Sequence, residues 1–444
     1  MRKRQLKQPK HWIGAVKGWE LVPEPVPNAL VSLPPKDLAR HCLIVGATGA
    51  GKSVTITNLI AQDILLRHSF AVLDLRGDIV ATALELCAGH VEPERVVLFD
   101  LRERERPFGF NPLFGSGEPY FRALNVLNVV EKESSSWGVQ LGETLRFAIL
   151  LLAEVQMPLT CLERIFFDDA FRASLIAVSN AEDVKGFWHR YGDLSKERRQ
   201  NLASPVLNKV SLLFATEGLR RTLGHLAPVD LGRHLNSPFS VTLMSLAADE
   251  LHEAGRAVGS LMLAAFTREI FARITVPEEQ RVKIRLYVDE FENFGTREFE
   301  TIIAEARKFR LALLIAHQTT MQLSPKVRSI ILNNIGAKLF FRTGREDSSI
   351  LSRDLTGDPK AIDFSSFDMG EFMLWRNGQG LVHVEGNQPL VAGSTLSQNG
   401  EAYRQAVRAL APPYEPVATG TDSPSPPPRR SRKASSESIL EDWL

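Results

Sequence analysis

The run Gly46-Ala47-Thr48-Gly49-Ala50-Gly51-Lys52-Ser53 satisfies the spacing G-x-x-x-x-G-K-[ST]. Glycines at this spacing let a loop curl until successive backbone N–H groups point inward at an anion, as a phosphate chain requires. A helix starting near Gly51 adds its positive dipole end to the same anion. Lys52 would reach the β- and γ-phosphates and the Ser53 hydroxyl would bind Mg2+, so the expected ligands are ATP and Mg2+. The context agrees: the apolar run "CLIVG" precedes the loop and the helical stretch "SVTITNLIAQDILLRH" follows it.

A site of this kind also needs a carboxylate at the end of a neighbouring strand. The segment "IRLYVDEF" supplies Asp289 and Glu290 after an apolar run. Asp289 is placed to hold Mg2+, directly or through water, and Glu290 to polarise the attacking water. Two adjacent acids would cost stability if buried and unpaired, which argues for a metal and water between them. Gln318 closes the strand "ALLIAHQ". Ligands bind at that end of parallel strands, so Gln318 can contact the γ-phosphate or its water and report whether the phosphate is present. His317 beside it reads as a structural neighbour.

The elements that must position these residues follow from the apolar pattern. From Cys42 onward short strands alternate with helices: "CLIVG", "FAVLDLRGD" and "RVVLFDL" are separated by helical stretches, the signature of βαβ units and a parallel sheet. From roughly Gly115 to Leu235 the apolar spacing is helical throughout. Strands return at "FSVTLMSL", "KIRLYVDEF", "ALLIAHQ" and "AKLFFRTG", and "GEFMLWRNGQGLVHVEG" reads as a hairpin about Asn377-Gly378. The expected fold class is α/β, a mainly parallel P-loop core interrupted by an inserted all-helical domain. Its expected division is an N-terminal arm over 1–35, rich in Pro, Lys and Trp and with room for short strands, a first core part over 36–114, the helical insertion over 115–235 and a second core part over 236–410. A Pro/Ser/Arg-rich tail over 411–444 is expected to be disordered, because it buries too little apolar surface to offset its ordering entropy. It ends in "ILEDWL", with Trp443, which reads either as a docking peptide for a protein partner or as an end without a role.

Composition narrows the rest. The chain of 444 residues carries 53 basic and 52 acidic side chains, a balance that speaks neither for nor against nucleic acid, since a ring or cleft can concentrate charge locally. Its three cysteines, Cys42, Cys87 and Cys161, have no CxxC spacing, so neither a disulfide framework nor a zinc site is expected and a reducing compartment fits. The basic start "MRKRQLKQPKHW" lacks the apolar segment of a secretory signal, and "FAILLLAEV" and "GSLMLAAF" are shorter than the ~20 residues that span a bilayer. A soluble, cytoplasmic protein without membrane insertion is expected.

Taken in order, "LARHCLIVGATGAGKS", "FAVLDLRGD", "FGFNPLF", "LYVDEFENFG", "EARKFRLALLIAHQTTMQL" and "NNIGAKLFFRTG" resemble the HerA/FtsK superfamily of ring-forming DNA-pumping ATPases. Within it the arrangement is most similar to the type IV coupling proteins of conjugation, over roughly residues 36 to 390. The resemblance implies a RecA-like core, a homohexamer with ATP at its subunit interfaces, and DNA as the partner threaded through a central channel. It also implies an arginine lent by the neighbouring subunit: Arg307, Arg40 and, as a third candidate, Arg342 match such positions. A guanidinium supplied in trans would neutralise charge developing on the γ-phosphoryl group; capping of a helix C-terminus is the plainer role for Arg307. The basic patch Leu194–Asn201 and the arm "RKRQLKQPK" could touch DNA or simply be solvated. The family's membrane anchor or preceding β-barrel is not found here, so a trimmed, soluble relative is expected. Two alternatives share the chemistry: a secretion or pilus-assembly ATPase that moves protein, and an ATP-gated scaffold that recruits a partner through its tail.

Overall fold

The structure, a computed structural model, describes residues 11–18, 30–134, 136–294, 302–319, 330–331, 334–376, 380–391 and 395–415. In chain order its strands are β1 (His11–Gly18), β2 (Leu30–Leu33), β3 (Cys42–Val45), β4 (Ser69–Asp74), β5 (Val96–Asp100), β6 (Val241–Ser245), β7 (Ile284–Val288), β8 (Leu311–His317), β9 (Ala337–Phe341), β10 (Glu371–Arg376) and β11 (Gly380–Gly386). They form one sheet in the order β2-β1-β11-β10-β9-β3-β8-β7-β4-β6-β5. From β9 to β5 every pairing is parallel. From β9 outward through β10, β11, β1 and β2 every pairing is antiparallel.

The parallel strands are near-continuous apolar runs because helices cover both faces. Strands β3, β4, β6, β8 and β9 are buried at every position. Helices Lys52–Leu65 and Asp78–Cys87 pack on each other, and the C-terminal helix Gln398–Ala409 packs on Asp78–Cys87 and β5. The mixed, mainly parallel α/β sheet is the fold class expected from the strand–helix alternation. The expected hairpin is present as the β10–β11 pair, with Arg376 opposite Gly380; its turn residues Asn377 and Gly378 lie outside the described residues.

Two parts of the chain differ from a plain reading of their composition. Within the stretch read as an N-terminal arm, β1 and β2 are built into the sheet, β1 covering the edge that β11 would otherwise expose. At the other end, residues read as the start of a loose tail pack on the body. Ala411 is buried, its carbonyl accepts from Arg106 Nε at 2.7 Å, the Pro412 carbonyl lies 3.2 Å from His225 Nε2, and Tyr414 sits edge-on to His225. The rest of the expected tail, with its docking peptide and Trp443, lies outside the described residues, as does "RKRQLKQPK".

Between β5 and β6 the described chain is helical, with no strand from Pro119 to Leu235. Helix Val139–Val155 is its central rod, buried on most sides, and an aromatic cluster of Phe147, Phe166, Phe187, Trp188 and Tyr191 packs around it. The lead-in Phe108–Phe114 is held rigidly. Asn111 Nδ2 donates to the Gln156 carbonyl at 2.9 Å, and Arg268 donates to the carbonyls of Pro112 at 3.1 Å and Phe114 at 2.6 Å. Gly115, at φ +108°, has no room for a side chain: an added Cβ would stand 2.4 Å from Glu269 Oε1. In the patch Leu194–Asn201, Arg199 is committed to Asp169 at 2.8 Å and lies over the Tyr191 ring, whereas Lys196 and Arg198 are exposed. Among the described residues no helix is long and apolar enough to cross a membrane.

A buried polar knot ties the helix after the glycine loop to the strand that carries the two acids. Asp63, with no exposed surface, ion-pairs with Arg285 of β7, accepts from the Tyr287 hydroxyl at 2.6 Å and meets His68 Nδ1 at 3.2 Å. Removing one member of such a group strands a charge in low dielectric. Asp63→Ala is therefore expected to lower unfolding free energy by about 3–5 kcal/mol in urea titration, and Tyr287→Phe by about 1 kcal/mol.

Candidate active site

Strand order decides what meets what. The glycine loop leaves the carboxyl end of β3; β8, ending at His317 and Gln318, is the next strand, and β7, ending at Asp289 and Glu290, is the one after. The loop is anchored on both flanks: Gly46 N donates to the His317 carbonyl at 3.1 Å, and Ala47 N to the Arg342 carbonyl at 2.8 Å. Gly370, just ahead of β10, braces it from outside, its N–H reaching the Ala50 carbonyl at 3.0 Å while its own carbonyl accepts from Gly386. Two glycines are sterically required. A Cβ at Gly46 would lie 2.6 Å from Phe341 Cβ, and Gly51 caps the helix at φ +109° with Gly370 Cα only 3.1 Å from a would-be Cβ. Thr48 and Gly49 form the exposed crest of the loop, and Ser53 is exposed in the first turn of helix Lys52–Leu65.

Lys52 is folded into this cradle. Its Nζ donates to the Gly46 carbonyl at 2.6 Å and to the Ala47 carbonyl at 3.1 Å. Burial lowers its proton affinity, while Asp289, Glu290 and Glu292 pull it back up. The same three carboxylates repel one another. Asp289 is pushed up to about 6, first by burial and then by Asp74 and Glu290. Glu292 is pushed up to about 7, chiefly by burial, and its Oε2 is buried without a hydrogen-bond partner. Glu290 takes a left-handed backbone, φ +49°, and its Oε1 accepts from Gln318 Nε2 at 2.9 Å and Arg76 Nη2 at 3.3 Å.

This surplus of carboxylates fits a divalent cation. Among the described residues no three His, Cys, Asp or Glu side chains converge as a cage for a metal. Mg2+ suits such a place, because it keeps several waters and binds through one or two protein oxygens plus phosphates. Asp289 and the Ser53 hydroxyl are the groups that would hold it. The arrangement is that of a P-loop nucleoside-triphosphatase site, and it fits Mg2+ with ATP.

His317 behaves as a packing residue: its ring is buried edge-on against Phe291 at 4.6 Å and is held neutral, pushed down to about 4 by burial and by Lys52. Arg342 contributes its carbonyl to the loop, as above. Arg40 and Arg307 are not in this site at all. Arg40 precedes β3 and Arg307 lies in the 3-10 turn Ala306–Phe309 ahead of β8, both exposed, at the opposite ends of the strands from the loop. At ~3.3 Å per residue, the seven residues of β8 put Arg307 about 20 Å from the loop. Arg307 bears on His41, which is pushed down to about 4 mainly by burial, so the two arginines share one neighbourhood.

Sequence reasoning missed Asp74, Arg76 and Glu292. The first two sit in "LDLRGD" at the end of β4, and only the β7–β4 adjacency brings them to Glu290. Glu292 looks like one more acid of a surface turn until the 3-10 turn Phe291–Asn293 folds it back toward Lys52.

Residues 24–136 match the family model for the central domain of helicase HerA. In structure, the chain is similar to the bacterial conjugative coupling protein TrwB in an unbound form, with TM-score 0.58 and 15% identity over 82% of this chain and 89% of that one. It is similar to TrwB in complex with ADP and Mg2+, with TM-score 0.57 and 16% identity over 83% and 91%. VirB4 of Thermoanaerobacter pseudethanolicus aligns with TM-score 0.57 and 14% identity over 86% of this chain and 97% of that one. No curated protein matches the sequence. The chain thus has a P-loop ATPase fold that resembles the coupling proteins, with a segment that matches the HerA central domain.

The crowding of acids has a measurable sign. Asp289 has a higher proton affinity folded than unfolded, so its ionised form opposes folding above about pH 6 and the penalty fades as pH falls toward 4. In metal-free, nucleotide-free buffer, Asp289→Asn is expected to raise the thermal midpoint at pH 7, with the difference from the parent vanishing near pH 4. The same variant should lose Mg2+-dependent nucleotide binding.

Proposed function

We propose that the protein is an ATP-hydrolysing motor that assembles as a ring, a homohexamer, and pumps DNA through its central channel. The observation that carries this reading is the separation of Arg40 and Arg307 from their own glycine loop. Arginines a strand's length from the nucleotide site of their own chain are available to the nucleotide of the next. DNA as the cargo rests on the family likeness to helicase HerA and to a conjugative coupling protein. The division into arm, interrupted core, helical insertion and tail at 35, 114, 235 and 410 belongs to the same proposal.

In this reading the phosphates enter the loop and Lys52 exchanges the Gly46 and Ala47 carbonyls for β- and γ-phosphate oxygens. Bound Mg2+ would supply charge neutralisation between those oxygens, held by Ser53 and Asp289. Glu290 polarises the attacking water. Gln318, already bonded to Glu290, contacts the γ-phosphate and registers its loss. The neighbour's Arg307, with Arg40 beside it, stabilises the charge that develops as the bond breaks, so hydrolysis occurs only where two subunits meet correctly.

Turnover of the full chain with Mg2+–ATP should rise when single- or double-stranded DNA is added. Binding of neither DNA and no stimulation would favour the protein-moving alternative. Lys52→Ala should lose nucleotide binding, and Glu290→Gln should bind ATP without turning it over. Arg307→Ala is expected to lower kcat by about a hundredfold or more. Mixing Arg307→Ala with Lys52→Ala subunits should restore part of the activity, because the first brings an intact loop and the second an intact arginine. Parent-level hydrolysis by both Arg307→Ala and Arg40→Ala in a strictly monomeric preparation would end the shared-site reading.

A further inference from the structure

We propose that Arg76 is a positioning residue of the ATPase site, which acts with Gln318 to orient the Glu290 carboxylate for its work on water. The inference rests on the reading of Glu290 as the water-polarising group.

The loop after β4 is built to present one side chain. Asp74, 2% exposed, accepts from the backbone N–H groups of Arg76 at 3.0 Å, Ile79 at 2.7 Å and Val80 at 3.1 Å. That fixes the turn and caps helix Asp78–Cys87 at once. Gly77, at φ +103°, packs where an added Cβ would stand 2.5 Å from Ser245 Oγ, so the turn has no slack on that side. Arg102 Nη1 then holds the Arg76 carbonyl at 2.9 Å, with Arg102 itself anchored to Asp249 and Glu250 at 2.6 Å each. Backbone fixed, the Arg76 guanidinium reaches across to β7 and meets Glu290 Oε1 at 3.3 Å, the same oxygen that Gln318 Nε2 holds at 2.9 Å.

Glu290 needs the help. Its left-handed backbone, φ +49°, is a conformation that non-glycine residues keep only when their surroundings impose it. Asp289 and Glu292 lie close to it in its own turn, against the single ammonium of Lys52. Left alone among these, the carboxylate would swing toward solvent. Two donors from β4 and β8 on Oε1 set its plane and leave Oε2 as the oxygen to meet a water. An exposed ion pair stabilises a fold by only about 0–1 kcal/mol, and the Arg76 side chain is 59% exposed. Its loss should leave the fold standing while spoiling alignment at the reacting atoms, where small displacements are costly in rate.

The test uses the full chain with Mg2+ and compares steady-state ATP hydrolysis with direct binding of a fluorescent ATP analogue. Arg76→Ala is expected to lower kcat about tenfold with nucleotide affinity and thermal midpoint unchanged. Arg76→Lys, which keeps the charge, should recover much of the rate. In a Glu290→Gln background, Arg76→Ala should change neither affinity nor residual turnover. A kcat for Arg76→Ala within about twofold of the parent overturns the proposal, and so does a rate loss matched by a fall in thermal midpoint and not recovered by lysine. Full turnover by Glu290→Gln alone would instead remove the reading of Glu290 on which the proposal stands.

Discussion

One ammonium faces more negative charge than it can balance. Lys52 lies in its own loop against two carbonyls, and the end of β7 directs Asp289, Glu290 and Glu292 toward it, with Asp74 of β4 behind Asp289. The imbalance is tolerable because the strands that deliver it are locked elsewhere: Asp63 clamps the loop's helix to β7 at the far end. Much of the architecture serves to hold these like charges together until a metal and a phosphate chain arrive. A cation placed there would relieve the repulsion that holds Asp289 and Glu292 above the usual carboxylate range.

The sheet also separates the two groups of residues that the proposed reaction would bring together. At the carboxyl edge of β3, β8 and β7 are those that would hold phosphate, metal and water; at the starting edge are Arg40 and Arg307. Parallel strands make this division automatic, since all their beginnings lie on one side and all their ends on the other. Antiparallel additions at β10, β11, β1 and β2 leave the division intact, because they extend the sheet beyond β9 and away from β8 and β7.

How far the sequence could be read depends on whether the signal was local. The glycine loop, its flanking strand and helix, and the acids after β7 each lie within one short window, so their chemistry was visible in the residues alone. Gln318 was reachable through the rule that ligands gather at strand ends, and it bonds to Glu290. Arg76 was not, because its contact with Glu290, 214 residues away along the chain, depends on β4 lying beside β7. Short strands in the N-terminal arm were legible, but not that His11–Gly18 and Leu30–Leu33 would join the main sheet, because that depends on the distant partner edge of β11.

The brace at Gly370 ties the fuel-handling loop to the antiparallel wing. Ala50 in the loop and Gly386 at the end of β11 hydrogen-bond to the same glycine, one on its N–H and one on its carbonyl, and β11 in turn carries β1. One residue thus joins the backbone hydrogen bonds of the loop to those of the antiparallel strands, and it does so at φ +89°, a conformation that glycine adopts without strain. A side chain introduced at that position would disturb the cradle and the wing together.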